Sequence, residues 1–207
     1  MSDYIDFKAV ETKDNPSEKR ISDNTLRLRP SFLYNSLMSI YYLCGSDTQK
    51  AQQATLDFST YLRQSFNELS SEGLVSFSDE LELAKAYLGV EKARVGEELS
   101  FEFDTPVMDF KVPPLILQPI LEMSVLHGVD PENNPLHIMV RTAELPDEFQ
   151  IIIKDNGPRY KPSDEDNPLL ALDPIRARLK KMANASLDIG PREVMGTAIT
   201  IHIPKTI

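Results

Sequence analysis

The chain has one cysteine, Cys44, and three histidines in 207 residues. A single thiol excludes an internal disulfide, and His127, His137 and His202 are too scattered to form a metal-ligand cluster. No apolar run approaches the roughly 18 residues expected of a membrane-spanning helix. The opening stretch, MSDYIDFKAVETKDNPSEKR, has no apolar core flanked by basic residues, so no signal peptide is expected and the expected setting is the cytosol. Positive charge is also short. Lys and Arg number 22 against 32 Asp and Glu, a net charge of −10, and the isoelectric point is about 4.8. That balance argues against sequence-independent nucleic-acid binding, which needs cations to neutralise phosphates.

What remains is an ordinary globular composition, 41% hydrophobic and 26% charged, in a chain long enough for a sizeable core. Residues 1–21 are polar, acidic and without periodicity, and read as a flexible arm. Ser22, Asp23 and Asn24 are good helix N-caps, and Phe32, Leu33, Leu37, Ile40 and Tyr41 recur at helical spacing up to Cys44 and Gly45. Pro30 would kink that helix or mark a late start. Asp47 can cap a second helix, with Ala51, Ala54, Phe58, Tyr61, Leu62, Phe66 and Leu69 on its apolar side. Two helices joined by so few residues predict a helical hairpin over 22–75.

Ser76 or Ser78 can cap a third helix, DELELAKAYLGVEKARV, closed by Gly96. The period then changes to two in LSFEFDT (99–105), as in a half-buried strand. Pro113 and Pro114 introduce LILQPILEMSVLHG, an almost wholly apolar helix ending at Gly128. LHIMVRTA (136–143) and FQIIIKD (149–155) predict an antiparallel pair across the LPDE turn. A loop with three prolines (158–168), a helix LLALDPIRARLKKMA and two strands, ASLDIG and GTAITIHIP, complete the chain. The fold class is α+β: a helical hairpin, then an α/β sandwich over 76–207 with a mixed, mainly antiparallel sheet.

From about residue 28 onward the sequence resembles the LytS-type sensor histidine kinases, whose ATP-binding domain belongs to the GHKL superfamily and has the Bergerat-type sandwich. RPSFLYNSL (29–37) stands where that family has Pro-His-Phe-Leu-Phe-Asn-Ser-Leu. YLRQSF and ELELAKAYLGVEKARVGEEL match the linker and the segment ending Arg-Phe-Gly-Asp-x-Leu. VPPLILQPILEMSVLHG matches the helix ending Glu-Asn-Ala-x-x-His-Gly, IKDNG the adenine box Asp-Asn-Gly-x-Gly, and GTAITIHIP the terminal Gly-Thr strand. Each fragment is weak alone; their order makes the resemblance specific.

The resemblance implies a phosphoacceptor histidine, a Mg²⁺-holding asparagine and glycine loops around ATP. At all three this chain departs. The acceptor position is Ser31, a weak nucleophile without a positioned base, and its phosphate ester would be too stable for ready transfer. A serine bonding local backbone near a helical proline accounts for it. The asparagine position is Met123, whose thioether is a poor ligand for Mg²⁺. The preceding Glu122 remains, either as an orienting carboxylate or as a structural one. In the nucleotide loops Asp155, Asn156 and Gly157 survive, but Arg159 replaces the second glycine of the box. The family's Gly-x-Gly-Leu reads LLAL (169–172), where side chains at 169 and 171 obstruct backbone approach to phosphates. Arg176 and Arg178 in RARL match a potential anion contact or form a solvated basic face. Gly196 and Thr197 match the terminal strand or an ordinary turn.

The resemblance therefore implies a histidine-kinase-like signalling protein. The joint losses predict a catalytically inactive regulatory or binding module in two-component-type signalling, with no catalytic residue and no metal site. An active ATP-binding kinase or ATPase with another acceptor is the alternative, carried by Asp155, Glu122 and the basic Arg176–Lys181 segment. A sensor that binds an adenine compound or another small ligand, without chemistry, is a third. ATP or ADP is the cofactor the resemblance implies, and Met123 speaks against Mg²⁺. The expected partners are a second copy of the chain through the hairpin, and a sensor kinase or response regulator.

Overall fold

The structure, a computed structural model, describes residues 29–129, 135–158, 169, 172–191 and 196–205. The polar arm, the caps at Ser22–Asn24, Arg159, the proline-containing loop beyond Pro158, Leu170 and Ala171 lie outside the described residues.

Helix α1 spans Pro30–Ser46, with Pro30 in the first turn, where its missing N–H costs nothing. Pro30 thus marks the late start and not a kink. Asp47 alone separates α1 from α2 (Thr48–Leu69); its N–H closes α1 on the Leu43 carbonyl, and its carboxylate accepts the Lys50 N–H at 3.0 Å. One residue therefore makes the turn of the expected hairpin. Strand β1 (Val75–Ser76) precedes α3 (Phe77–Val95), whose N-cap is Ser76, accepting from Asp79 N–H at 3.1 Å. Asp79 and Glu80 in its first turn and Lys92 and Arg94 in its last complement the helix dipole. Phe32 joins the three helices, with its ring centroid 4.8 Å from that of Tyr61 on α2 and 5.4 Å from that of Tyr87 on α3.

Strands β2 (Leu99–Asp104), β4 (Leu136–Glu144), β5 (Glu148–Asp155), β7 (Thr197–Pro204) and β6 (Ser186–Pro191) form one sheet in the order β2-β4-β5-β7-β6. Only β2–β4 is parallel; the other three pairings are antiparallel. The short β3 (Lys111–Val112) pairs with β1 as a separate ribbon that the sequence pattern does not announce. Period-two alternation puts Leu136, Ile138 and Val140, Ile151 and Ile153, and Ile199, Ile201 and Ile203 into one core with α3, α4 (Leu117–Gly128) and α5 (Asp173–Ala183). The fold is thus α+β, N-terminal helices followed by a mixed five-stranded sheet.

One start differs from expectation. The double proline does not open α4; the helix begins at Leu117, after Leu115 adopts a positive φ of 57°. Pro119 occupies the third helical position, where the first-turn N–H groups have no intrahelical partner in any case.

Candidate functional site

The start of α4 is fixed by side chains from three other helices. Glu68, in the last turns of α2, accepts the Leu115 N–H at 2.9 Å. Glu80 on α3 accepts Ile116 N–H at 3.0 Å and Leu117 N–H at 2.9 Å. Arg178 on α5 donates to the carbonyls of Pro114 at 2.8 Å and Leu115 at 3.3 Å. The N–H groups that a helix start leaves open are thus met by carboxylates, and the strained turn at Leu115 is held from both sides. Burial and the neighbouring Glu68 carboxylate push Glu80 well above the usual carboxylate range. Burial likewise lowers the Arg178 guanidinium from its usual value.

This anchoring aims the second and third turns of α4 at the two regions that the resemblance marks as functional. Ser31, exposed in the first turn of α1, lines a cavity of about 200 Å³ that it shares with Glu122 on α4 and with Tyr87, Glu91 and Arg94 on α3. Glu122 accepts from the Gln118 amide at 2.8 Å and lies 3.5 Å from the Arg29 guanidinium. Burial raises its carboxyl, an effect that the Gln118 hydrogen bond and Arg29 oppose. Met123 points instead into the core and is 6% exposed. A Mg²⁺ ion does not fit there, because the thioether supplies no oxygen. Among the described residues no group of His, Cys, Asp or Glu is placed to hold a metal ion.

The adenine-box residues meet at the end of β5. Asp155 is buried, and its Oδ1 accepts the N–H groups of Gly157 at 3.0 Å and Thr197 at 3.1 Å. Its Oδ2 accepts the hydroxyl of Ser124 at 3.0 Å. Asn156 faces β4, accepting the His137 N–H at 2.6 Å and donating to the Pro135 carbonyl at 3.1 Å. Gly196 takes a φ of +93°, and a Cβ on it would sit 1.9 Å from the Asp155 carbonyl oxygen, so only glycine fits. A Cβ on Gly157 would lie 3.3 Å from the Gly128 Cα, bringing α4 and the box into close contact.

The structure thus brings Asp155, Gly157, Gly196 and Thr197 together and puts Ser31 and Glu122 on one cavity. It does not gather the two arginines. Arg176 pairs with Asp173 at 2.9 Å on an exposed turn, while Arg178 is half-buried at the start of α4. Sequence reasoning missed three residues. Ser124 stands where the family motif has alanine, and a hydroxyl on an apolar helix was its signal. Glu68 and Glu80 announce themselves only as acidic residues at helical positions that turn out to be buried.

The histidine kinase family profile matches residues 20–99. The protein YwpD of Bacillus subtilis is 34% identical over 191 residues, covering 87% of this chain and 69% of YwpD. The sensor protein LytS of Oceanobacillus iheyensis is 26% identical over 205 residues, 97% of this chain but 34% of that protein. The sensor histidine kinase YpdA of Escherichia coli is 27% identical, with 86% of this chain and 33% of YpdA covered. Among solved structures, the histidine kinase domain of EL346 from Erythrobacter litoralis superposes with a TM-score of 0.51 at 12% identity, covering 89% of this chain and 92% of that one. The chain belongs to the histidine kinase family, and its relatives include LytS-type sensor kinases. It spans about a third of the length of LytS and YpdA. No helix among the described residues is long and apolar enough to cross a membrane.

Proposed function

We propose that this chain is a catalytically inactive, LytS-type kinase-like module that acts in two-component-type signalling by binding rather than by phosphoryl transfer. Residues 22–75 serve as its dimerising segment and 76–207 as its ATPase-like domain. The observation that carries the proposal is Met123. A buried thioether occupies the turn of α4 on which the family's metal ligand stands, between Glu122 and Ser124. Phosphoryl transfer depends on positioning and charge neutralisation around the phosphates, so removal of the metal ligand alone costs orders of magnitude in rate. Ser31 in place of the acceptor acts in the same direction. The partners that follow are a second copy of the chain and a sensor kinase or response regulator.

One observation favours a second reading, an active kinase with a different acceptor. Ser31 and Glu122 share a cavity, so a hydroxyl and a carboxylate of raised pKa face one another's surroundings. Incubation with γ-labelled ATP and Mg²⁺ decides between the two. The inactive reading expects no label on the chain and no Mg²⁺-dependent ATP binding at micromolar concentration. Label that disappears in Ser31→Ala overturns it.

A further inference from the structure

Tyr87 lines the cavity beside Ser31. That side chain is 2% exposed, but its hydroxyl oxygen is not one of the enclosed, unpartnered polar atoms, so the hydroxyl is the part of Tyr87 open to the cavity. A hydroxyl open to the cavity bonds water there and offers a donor to a ligand that displaces that water. The carboxylates of Glu91 and Glu122 both act on this hydroxyl, as does the Arg94 guanidinium, which places it among the cavity's charges.

Those charges balance. Arg94 Nε bonds Glu91 at 2.8 Å, and Arg29 lies beside Glu122 at 3.5 Å. The two pairs differ in strength. Arg94 and Glu91 are joined by two hydrogen bonds, whereas Arg29 is 55% exposed and sits at the longer distance. The Arg29–Glu122 pair is therefore the one that opens at least cost. The remaining wall is apolar at Phe32, Val125 and Leu126, of which Leu126 is 62% exposed, and polar at Ser31 and Asn35. At about 200 Å³ the cavity is smaller than the roughly 300–1,000 Å³ of sites for drug-sized ligands. A nucleotide does not fit it.

From this geometry we infer that the cavity binds a small zwitterion of the α-amino-acid type with an apolar side chain. Its carboxylate lies against Arg29 and accepts the Tyr87 hydroxyl. Its ammonium lies against Glu122, and its side chain rests on Phe32, Val125 and Leu126. A ligand of one charge only would leave either Glu122 or Arg29 without a counter-ion in a part-buried site. The inference does not rest on the absence of phosphoryl transfer, so labelling of Ser31 would overturn the function proposed above and leave this site to its own test.

That test is calorimetric titration and thermal unfolding of the full chain with the standard L-amino acids at millimolar concentration. The expected result is saturable binding and stabilisation by an apolar member such as L-leucine. Isocaproate and isoamylamine, which each keep one of leucine's two charges, are expected not to bind. Tyr87→Phe keeps the ring packing and is expected to weaken binding about tenfold, the value of one charge-assisted hydrogen bond. Glu122→Gln, a second variant that keeps the shape of the side chain, is expected to weaken it at least as much. The inference is overturned if no amino acid binds saturably, if both one-charge analogues bind as well as leucine, or if neither variant changes the affinity.

Discussion

Glu80 on α3 accepts the backbone N–H of Leu117, 37 residues further along the chain, at 2.9 Å, and so closes the first turn of α4 from outside. The carboxyl is buried beside Glu68 and its pKa is raised well above the usual 4.5. A carboxyl whose folded pKa lies above its unfolded one holds its proton more tightly in the native state. Its contribution to stability is fully present below the unfolded value and is lost as pH rises through the folded value. Stability measured by urea unfolding is therefore expected to fall as pH is raised from about 4.5. Glu80→Gln keeps an oxygen for the two N–H groups and offers an amide toward Glu68. It is expected to flatten that slope, whereas Glu80→Ala leaves both N–H groups bare and loses about 2–4 kcal/mol at every pH. An unchanged slope in Glu80→Gln would show that Glu80 does not carry the proton.

Gly196 is where the terminal strand meets the adenine box. Gly196→Ala drives a methyl group to 1.9 Å from the Asp155 carbonyl oxygen in a backbone conformation that alanine avoids. The expected loss is about 3 kcal/mol or more, and soluble yield falls with it. Gly190→Ala on the neighbouring β6 is the control: its Cβ meets nothing within 4 Å, so its unfolding midpoint should stay within about 0.5 kcal/mol of the parent.

The difference between those two glycines also marks what was legible in the sequence. The sheet could be read because Leu136 to Val140 and Ile199 to Ile203 alternate, and alternation is a local property of a strand with one buried face. The caps Asp47 and Ser76 act within three residues and were equally visible. The start of α4 was not, because Leu115, Ile116 and Leu117 are bonded by Glu68, Glu80 and Arg178, all of them distant in sequence. Pro113 and Pro114 signalled a helix start by local rules, and long-range carboxylates moved it to Leu117. The family motifs located Asp155 but not the hydroxyl opposite it, since only the fold brings α4 against the end of β5.

That hydroxyl leads to a prediction about nucleotide recognition. Ser124 donates to Asp155 Oδ2 at 3.0 Å, the carboxylate that the family resemblance assigns to the adenine amine. Ser124→Ala removes one buried hydrogen bond and is expected to lower stability by about 1–2 kcal/mol. The same change removes one donor that competes for that carboxylate, so ADP affinity measured by equilibrium dialysis is expected to rise in the variant. Equal ADP affinity in parent and variant would mean that the hydroxyl does not compete with a base.

Among the described residues the hairpin leaves one face without cover. Tyr34, Leu37 and Tyr41 lie one turn apart along α1 and are 65%, 56% and 69% exposed. Residues spaced at three and four on a helix share one side, and three such side chains make a stripe suited to a second helix. A second copy of the chain covers it in the proposed dimer. Leu37→Asp puts a charge in the middle of the stripe without touching the core, so the monomer's helical content is expected to stay constant. The parent is expected to show a dimer mass by light scattering at micromolar concentration. The variant's dissociation constant should rise at least tenfold, the cost of burying one unpaired charge at an apolar seam being about 1.4 kcal/mol or more. A parent of monomer mass at every concentration removes the dimer from the proposal, and a dimeric Leu37→Asp moves its interface to another face.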